Sequence, residues 1–273
     1  MYKPLVYALV LTTAAVLAFT GCEQIIDLEL EDGRPTLVVE GLLTDQEGPH
    51  YVILSESNPN FYDTLRPRSV RNAMVRISDD AGNSEELTYV GGGRYETRTL
   101  ETAIGRKYDL YIEWRGDEYR SRGELAELGT FDSLVWQFDE DREQYQAFMY
   151  AAIIDDSVNY YRMLVYRNDT LFDDEDDFFI AGDDAISYNL FNVEVPYFHD
   201  FGDTVRVELQ RLDKPMYNYY LTYLDLLFSD GGIFTSIPEN PFTNVQNINR
   251  RSREPLGLFQ VSTVLQQEIV MGQ

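Results

Sequence analysis

Thr36-Leu-Val-Val-Glu-Gly-Leu-Leu43 and, after a polar break, Tyr51-Val-Ile-Leu-Ser55 are the stretches whose reading decides the fold. From Pro35 onward, apolar residues recur with the period of two that marks β-strands. The first stretch reads as a buried strand, and the second as its partner across residues 45–50.

Working outward, the pattern repeats. Ala73-Met-Val-Arg-Ile-Ser78 alternates in and out and runs into the turn Asp79-Asp80-Ala81-Gly82. Leu87-Thr-Tyr-Val90 and Arg94-Tyr-Glu-Thr97 flank Gly91-Gly92-Gly93, a hairpin in which glycine supplies positive φ. Tyr108-Asp-Leu-Tyr-Ile-Glu-Trp114 turns through Gly116 and Asp117 into Tyr119-Arg-Ser121. Short strands at this spacing predict an immunoglobulin-like β-sandwich over residues 35–123.

The second half, residues 130–273, reads as a further β-rich domain with one helix. Strands are expected over 133–138, 148–154, 160–166 and 205–212, with a final strand over 256–262. Tyr217, Tyr220, Leu221, Leu224 and Phe228 recur at helical spacing, so a helix is expected from Lys214 to about Phe228. Asp230-Gly231-Gly232 is expected to end it.

Ahead of the sandwich lies an address. Residues 1–21 carry Lys3 and then an apolar run of about fifteen residues, the pattern of a signal peptide. That run is shorter than the ~20 residues a membrane-spanning helix needs. It ends at Gly21-Cys22, and Cys22 is the only cysteine in the chain. Cys22 is therefore expected to be the lipidated first residue of a mature lipoprotein, followed by an acidic tether over 22–34. Two or more acyl chains, at ~0.8 kcal/mol per buried CH₂, give stable anchoring. A thiol consumed this way leaves none for disulfides, metal or nucleophilic chemistry.

Charge narrows the function classes. The chain has 47 acidic and 22 basic residues, a net charge of −25, and loss of Lys3 with the signal takes the mature form to −26. Nucleic-acid binding is excluded, because its affinity comes from Lys and Arg neutralising phosphates. Aromatics reach 14%, with 20 Tyr, too many for a disordered chain.

Few residues nominate a site. The acidic run Asp173, Asp174, Glu175, Asp176 and Asp177 offers carboxylate oxygens of the kind calcium takes, but lacks the glycine and terminal glutamate of a hand-type loop. A solvated acidic loop is the competing reading. Phe61 and Tyr62, and Tyr197 and Phe198, read as loop aromatics able to stack on a sugar or peptide. His50 and His199 stand apart from any ligand spacing and read as loop residues. Arg250, Arg251 and Arg253 form a basic island that either pairs with the chain's own acids or meets a partner or lipid headgroups. No nucleophile elbow, zinc-helix motif or phosphate-cradling glycine loop occurs, so no catalytic residue and no resident cofactor are expected.

Three stretches together carry a resemblance. The first is Leu37-Val-Val-Glu-Gly-Leu-Leu-Thr-Asp45 behind Cys22, with Gly48-Pro49. The second is 70–80, with Gly93-Arg-Tyr95 and Gly105-Arg-Lys-Tyr108. The third is Glu239-Asn-Pro-Phe-Thr-Asn-Val-Gln-Asn247 leading to Leu256-Gly-Leu-Phe259. In this order they resemble domain-of-unknown-function family 4249, lipoproteins of Bacteroidota. The middle stretch also resembles transthyretin-like, carboxypeptidase-regulatory-type sandwiches. The resemblance implies an outer-membrane lipoprotein with a TonB-dependent transporter as partner and no established activity. The acids just after Cys22, which can act as a surface-export signal, give the expectation that it faces the exterior. A structural, adhesion or envelope-assembly lipoprotein is the alternative from another class, and a hydrolase with a hidden site a third.

Overall fold

The computed structural model describes residues 35–58, 67–152, 159–172, 177–182, 191–228, 240–251 and 253–273, with backbone alone at 191 and 192. Cys22, Phe61, Tyr62, Asp173, Asp174, Glu175, Asp176 and the 230–232 turn lie outside the described residues.

The period-two stretches form strands. β1 (Leu37–Thr44) and β2 (Tyr51–Glu56) pair antiparallel, burying Leu37, Val39, Leu43, Val52 and Leu54 while the intervening side chains turn outward. After β3 (Arg68–Ser69) come β4 (Met74–Asp79), β5 (Ser84–Glu86), β6 (Thr88–Gly91), β7 (Arg94–Glu96), β8 (Lys107–Trp114) and β9 (Asp117–Glu124). The glycine hairpin joins β6 to β7 as expected. Gly93 is required there: its φ is +86°, and a Cβ would stand 2.4 Å from the Leu54 carbonyl oxygen.

The second half adds β10 (Thr130–Asp139), β11 (Gln144–Ala152), β12 (Tyr160–Arg167), β13 (Thr170–Leu171), β14 (Phe179–Gly182), β15 (Phe191–His199) and β16 (Thr204–Leu212). Helix α1 (Lys214–Leu227) follows, then β17 (Gln246–Asn247), β18 (Leu256–Ser262) and β19 (Val264–Val270). The protein is thus mostly β with a single helix among the described residues.

Four sheets make two sandwiches. Sheets β18-β1-β2-β7-β6 and β17-β9-β8-β4-β5 face one another across a core that includes Val39, Leu54, Ile77, Leu110, Ile112 and Phe259. Sheets β10-β11-β15 and β13-β12-β16-β19 enclose a second core around Met149, Tyr161, Val165, Val195, Val207 and Leu209. Each such side chain, fully buried, contributes roughly 1.5–3 kcal/mol relative to exposure.

The division drawn from sequence at 123 and 130 is crossed by two strands. β17 pairs with β9, and β18 runs parallel to β1 from Val38↔Leu256 to Thr44↔Ser262, so both belong to the first sandwich. The parallel pairing brings the backbones close at Gly257, where φ is +91° and a Cβ would meet the Val39 carbonyl oxygen at 2.0 Å. Asn244 covers the outer edge of β18, its amide donating to the Phe259 carbonyl at 2.8 Å and its carbonyl accepting the Phe259 N–H at 2.9 Å.

Residues 256–262 are also not the last strand. After one residue, Thr263, the chain becomes β19 and joins β16 in the second sandwich. Its alternation is diluted by Gln266, Gln267 and Glu268, because β19 ends a sheet and shows one side to water. β15 was hidden by Pro196, which argues against a strand interior. A register shift opposite Gln146–Phe148 accommodates it. Tyr197, Phe198 and His199 consequently lie in a strand and not in a loop.

Candidate functional site

Where the two sandwiches meet, β9, β12, β16 and the start of α1 converge on the β18–β19 crossing and leave a cleft of about 290 Å³. Its walls carry Glu124, Tyr160, Arg211, Asp213, Lys214 and Val261. Clefts at domain junctions are the ordinary place for small-ligand sites.

Helix α1 builds one wall. Asp213 is its N-cap, with Oδ1 accepting the Met216 N–H at 2.8 Å, and Pro215 occupies the first turn, where its missing N–H costs nothing. Burial pushes the Asp213 carboxyl above its usual range, an effect partly offset by that N–H. Met216 and Tyr220 anchor the helix on Leu212 and Leu258. Tyr217 stacks on Tyr160 at 4.4 Å, and the Lys214 ammonium lies 4.6 Å from the Tyr160 ring and 5.0 Å from that of Tyr217. On the opposite side of the junction, Thr263 donates to the Ala126 carbonyl at 2.5 Å, and an Arg211 N–H donates to the Glu127 carbonyl.

A buried polar chain holds the junction together. Arg162 donates to the Tyr220 hydroxyl at 3.0 Å, and Tyr220 donates to the Gln260 carbonyl at 2.5 Å. The Gln260 amide donates to Gln210 at 2.8 Å and to Ser262 at 2.9 Å, and Ser262 donates to the Arg211 carbonyl. From the other side, Asp45 accepts the Val264 N–H at 2.9 Å and Gln46 donates to the Val264 carbonyl at 3.0 Å. A network with its members satisfied at this depth stiffens the geometry it spans.

The residues nominated from sequence lie elsewhere. Tyr197, at φ +74°, stacks on Phe172 at 4.4 Å and meets Phe179 edge-on, an internal aromatic cluster of the second sandwich. Phe198 lies under the Arg142 guanidinium at 4.5 Å. Neither lines the cleft. Of the acidic run only Asp177 is described, half-buried ahead of β14, and among the described residues no three metal-ligating side chains cluster. His50 is buried beside β2, its Nδ1 3.5 Å from the Thr44 N–H, and His199 is fully buried in β15. The basic island pairs with the chain's own acid: Arg250 and Arg253 stand 3.2 and 3.1 Å from the two oxygens of the buried Asp117 carboxylate.

Sequence reasoning missed the cleft. Its lining residues are scattered from 124 to 263, its charged members are ordinary surface types, and only Asp213 before Lys214-Pro215 carries a signal, that of a helix start.

No described helix is long and apolar enough to cross a membrane. A comparison with curated proteins finds no match. A family model, Domain of unknown function (DUF4249), matches residues 23–268, and by that match, covering nearly the whole chain, this protein belongs to the DUF4249 family.

Proposed function

We propose that this protein is a lipid-anchored, non-catalytic binding or accessory subunit. It is held at the exterior face of an outer membrane through acyl chains on Cys22 and works beside a TonB-dependent transporter. The anchor rests on the apolar run that ends at the chain's only cysteine. The observation that carries the binding role is the junction cleft, framed by two sandwiches that one polar network and one continuous chain crossing hold in register.

The chemistry of the cleft supports binding over catalysis. Asp213 is engaged as a helix cap and Arg211 is tied to a backbone carbonyl. Neither histidine lines the cleft to act as general base.

The deciding experiment purifies the native, acylated protein from detergent-solubilised outer membranes and identifies what comes with it by mass spectrometry. Recovery of a TonB-dependent transporter at comparable abundance is the expected result. A lone acylated monomer would overturn the transporter partnership, and an unacylated Cys22 would overturn the anchor.

A further inference from the structure

We infer that the junction cleft binds a small zwitterion, an amino acid or dipeptide with a free ammonium, a free carboxylate and an apolar side chain. This deepens the binding role proposed above and rests on it.

Size comes first. At about 290 Å³ the cleft stands at the lower end of the ~300–1,000 Å³ usual for ligand sites, too small for an oligosaccharide or a long peptide.

Charge decides the class. The walls carry Arg211 and Lys214 against Glu124 and Asp213, two cations and two acids with no net charge. Among the described residues Lys214 makes no ion pair or hydrogen bond, and its ammonium is steered only by the faces of Tyr160 and Tyr217. An ammonium on an aromatic pair with no ion-pair partner among the described residues, in a chain of net charge −25, is poised for an incoming carboxylate. Glu124 is half-exposed and its one ion-pair partner among the described residues, Lys107, is 3.9 Å away, a pairing that contributes little. Asp213 uses Oδ1 for its cap, and burial disfavours its charged form, a strain that a ligand ammonium would relieve. A free anion would be repelled by the field of the whole chain, whereas a zwitterion adds no net charge to it. Leu212 and Val261 supply the apolar floor for a side chain.

The test is calorimetric titration of the full-length protein in detergent micelles with alanyl-leucine, its N-acetylated form and its C-terminal amide. The free dipeptide is expected to bind, and each blocked form to bind about tenfold more weakly, the scale of one lost hydrogen bond to a charged group. Lys214→Gln should weaken the free dipeptide and leave the amide unchanged, and Glu124→Gln should do the same for the N-acetylated form. Unchanged thermal midpoints would show that both variants are folded. No heat with the free dipeptide, equal affinity for the blocked forms, or variants that bind like the parent would each overturn the inference. Transporter recovery without dipeptide binding would remove the ligand class and leave the accessory role standing. Dipeptide binding by a lone monomer would do the reverse.

Discussion

The two sandwiches treat their buried polar groups differently. In the first, Asp79 accepts from the backbones of Ala81 and Asn83, the Asn83 amide and Arg106, and its carboxyl falls below the usual range against the opposing pull of burial. Tyr95 donates to the Val70 carbonyl and accepts the Ala73 N–H, and Asp117 accepts from Arg253 on Oδ2 while its Oδ1 has the Arg250 guanidinium at 3.2 Å without a hydrogen bond. In the second, His199 is fully buried with neither ring nitrogen hydrogen-bonded among the described residues, edge-on to Phe172 at 6.4 Å. A buried donor or acceptor without a partner costs roughly 1–3 kcal/mol. The contrast is one of kind: the unbonded oxygen of Asp117 still faces a guanidinium, whereas both ring nitrogens of His199 have no hydrogen-bond partner among the described residues.

Trp114 in β8 and Trp136 in β10 place one fluorescent reporter in each half, which makes the comparison breakable. The largest effect is expected from Phe259→Ala. This fully buried ring packs within 2.7 Å of where a Cβ on Gly41 would stand, and truncation should cost about 3–5 kcal/mol in urea unfolding. Both reporters should shift together, because β18 belongs to one sandwich and leads directly into β19 of the other. A shift of Trp114 alone would show two independent modules.

Tyr220→Phe comes next, at about 1–3 kcal/mol, since it strips the hydroxyl between the half-buried Arg162 and the buried Gln260 and leaves each short of a partner. Its sharper signature is separation of the two reporters into distinct transitions. Coincident curves in this variant would mean that the chain crossing and the remaining junction hydrogen bonds suffice to couple the halves.

Acid should expose the histidine contrast. Burial and the nearby Arg167 hold His199 below its ordinary value of about 6.5. As pH falls through that value the unfolded chain takes the proton first, so stability declines until pH also passes the folded value, by at most about 1.4 kcal/mol per pH unit for one site. His50 is lowered by burial too and opposed by Asp45, as Asp203 and Asp200 oppose the shift at His199. Only at His199 does a cation, Arg167, add to burial, so in the Tyr220→Phe variant, where the transitions separate, the slope read at Trp136 should exceed that at Trp114. His199→Phe should flatten the Trp136 slope, and a variant that keeps it would assign the acid sensitivity to other groups. The smallest effect is expected from Arg142→Ala, about 0.5–1 kcal/mol for losing the guanidinium over Phe198, and in the coupled parent chain both reporters should register it.

Most of the local structure was legible in the chain. Alternation located β1, β2, β4, β8, β12 and β16, the glycine triplet located the β6–β7 turn, and tyrosine and leucine spacing located α1. Where local rules conflicted, reading failed: Pro196 masked β15, and the glutamines of β19 masked an edge strand. The aromatic pair Tyr197–Phe198 and the buried His199 were misplaced with β15, because burial at one strand end depends on what lies across the sheet. The cleft was invisible for a related reason, since Glu124, Asp213 and Thr263 have no local pattern in common.

The sequence by itself determined the β class, the helix from Lys214, the acidic composition and the expectation of a lipid anchor at Cys22, all properties of short segments or of composition. Tertiary structure alone decided that residues 256–262 return to pair in parallel with β1. It also decided that Gln260 and Tyr220 meet, and that the two halves enclose a charged cleft. The physical reason is range. Strand and helix signals are written in neighbouring residues, whereas parallel pairing and a buried polar network join groups tens to hundreds of positions apart, chosen by the packing of the whole core.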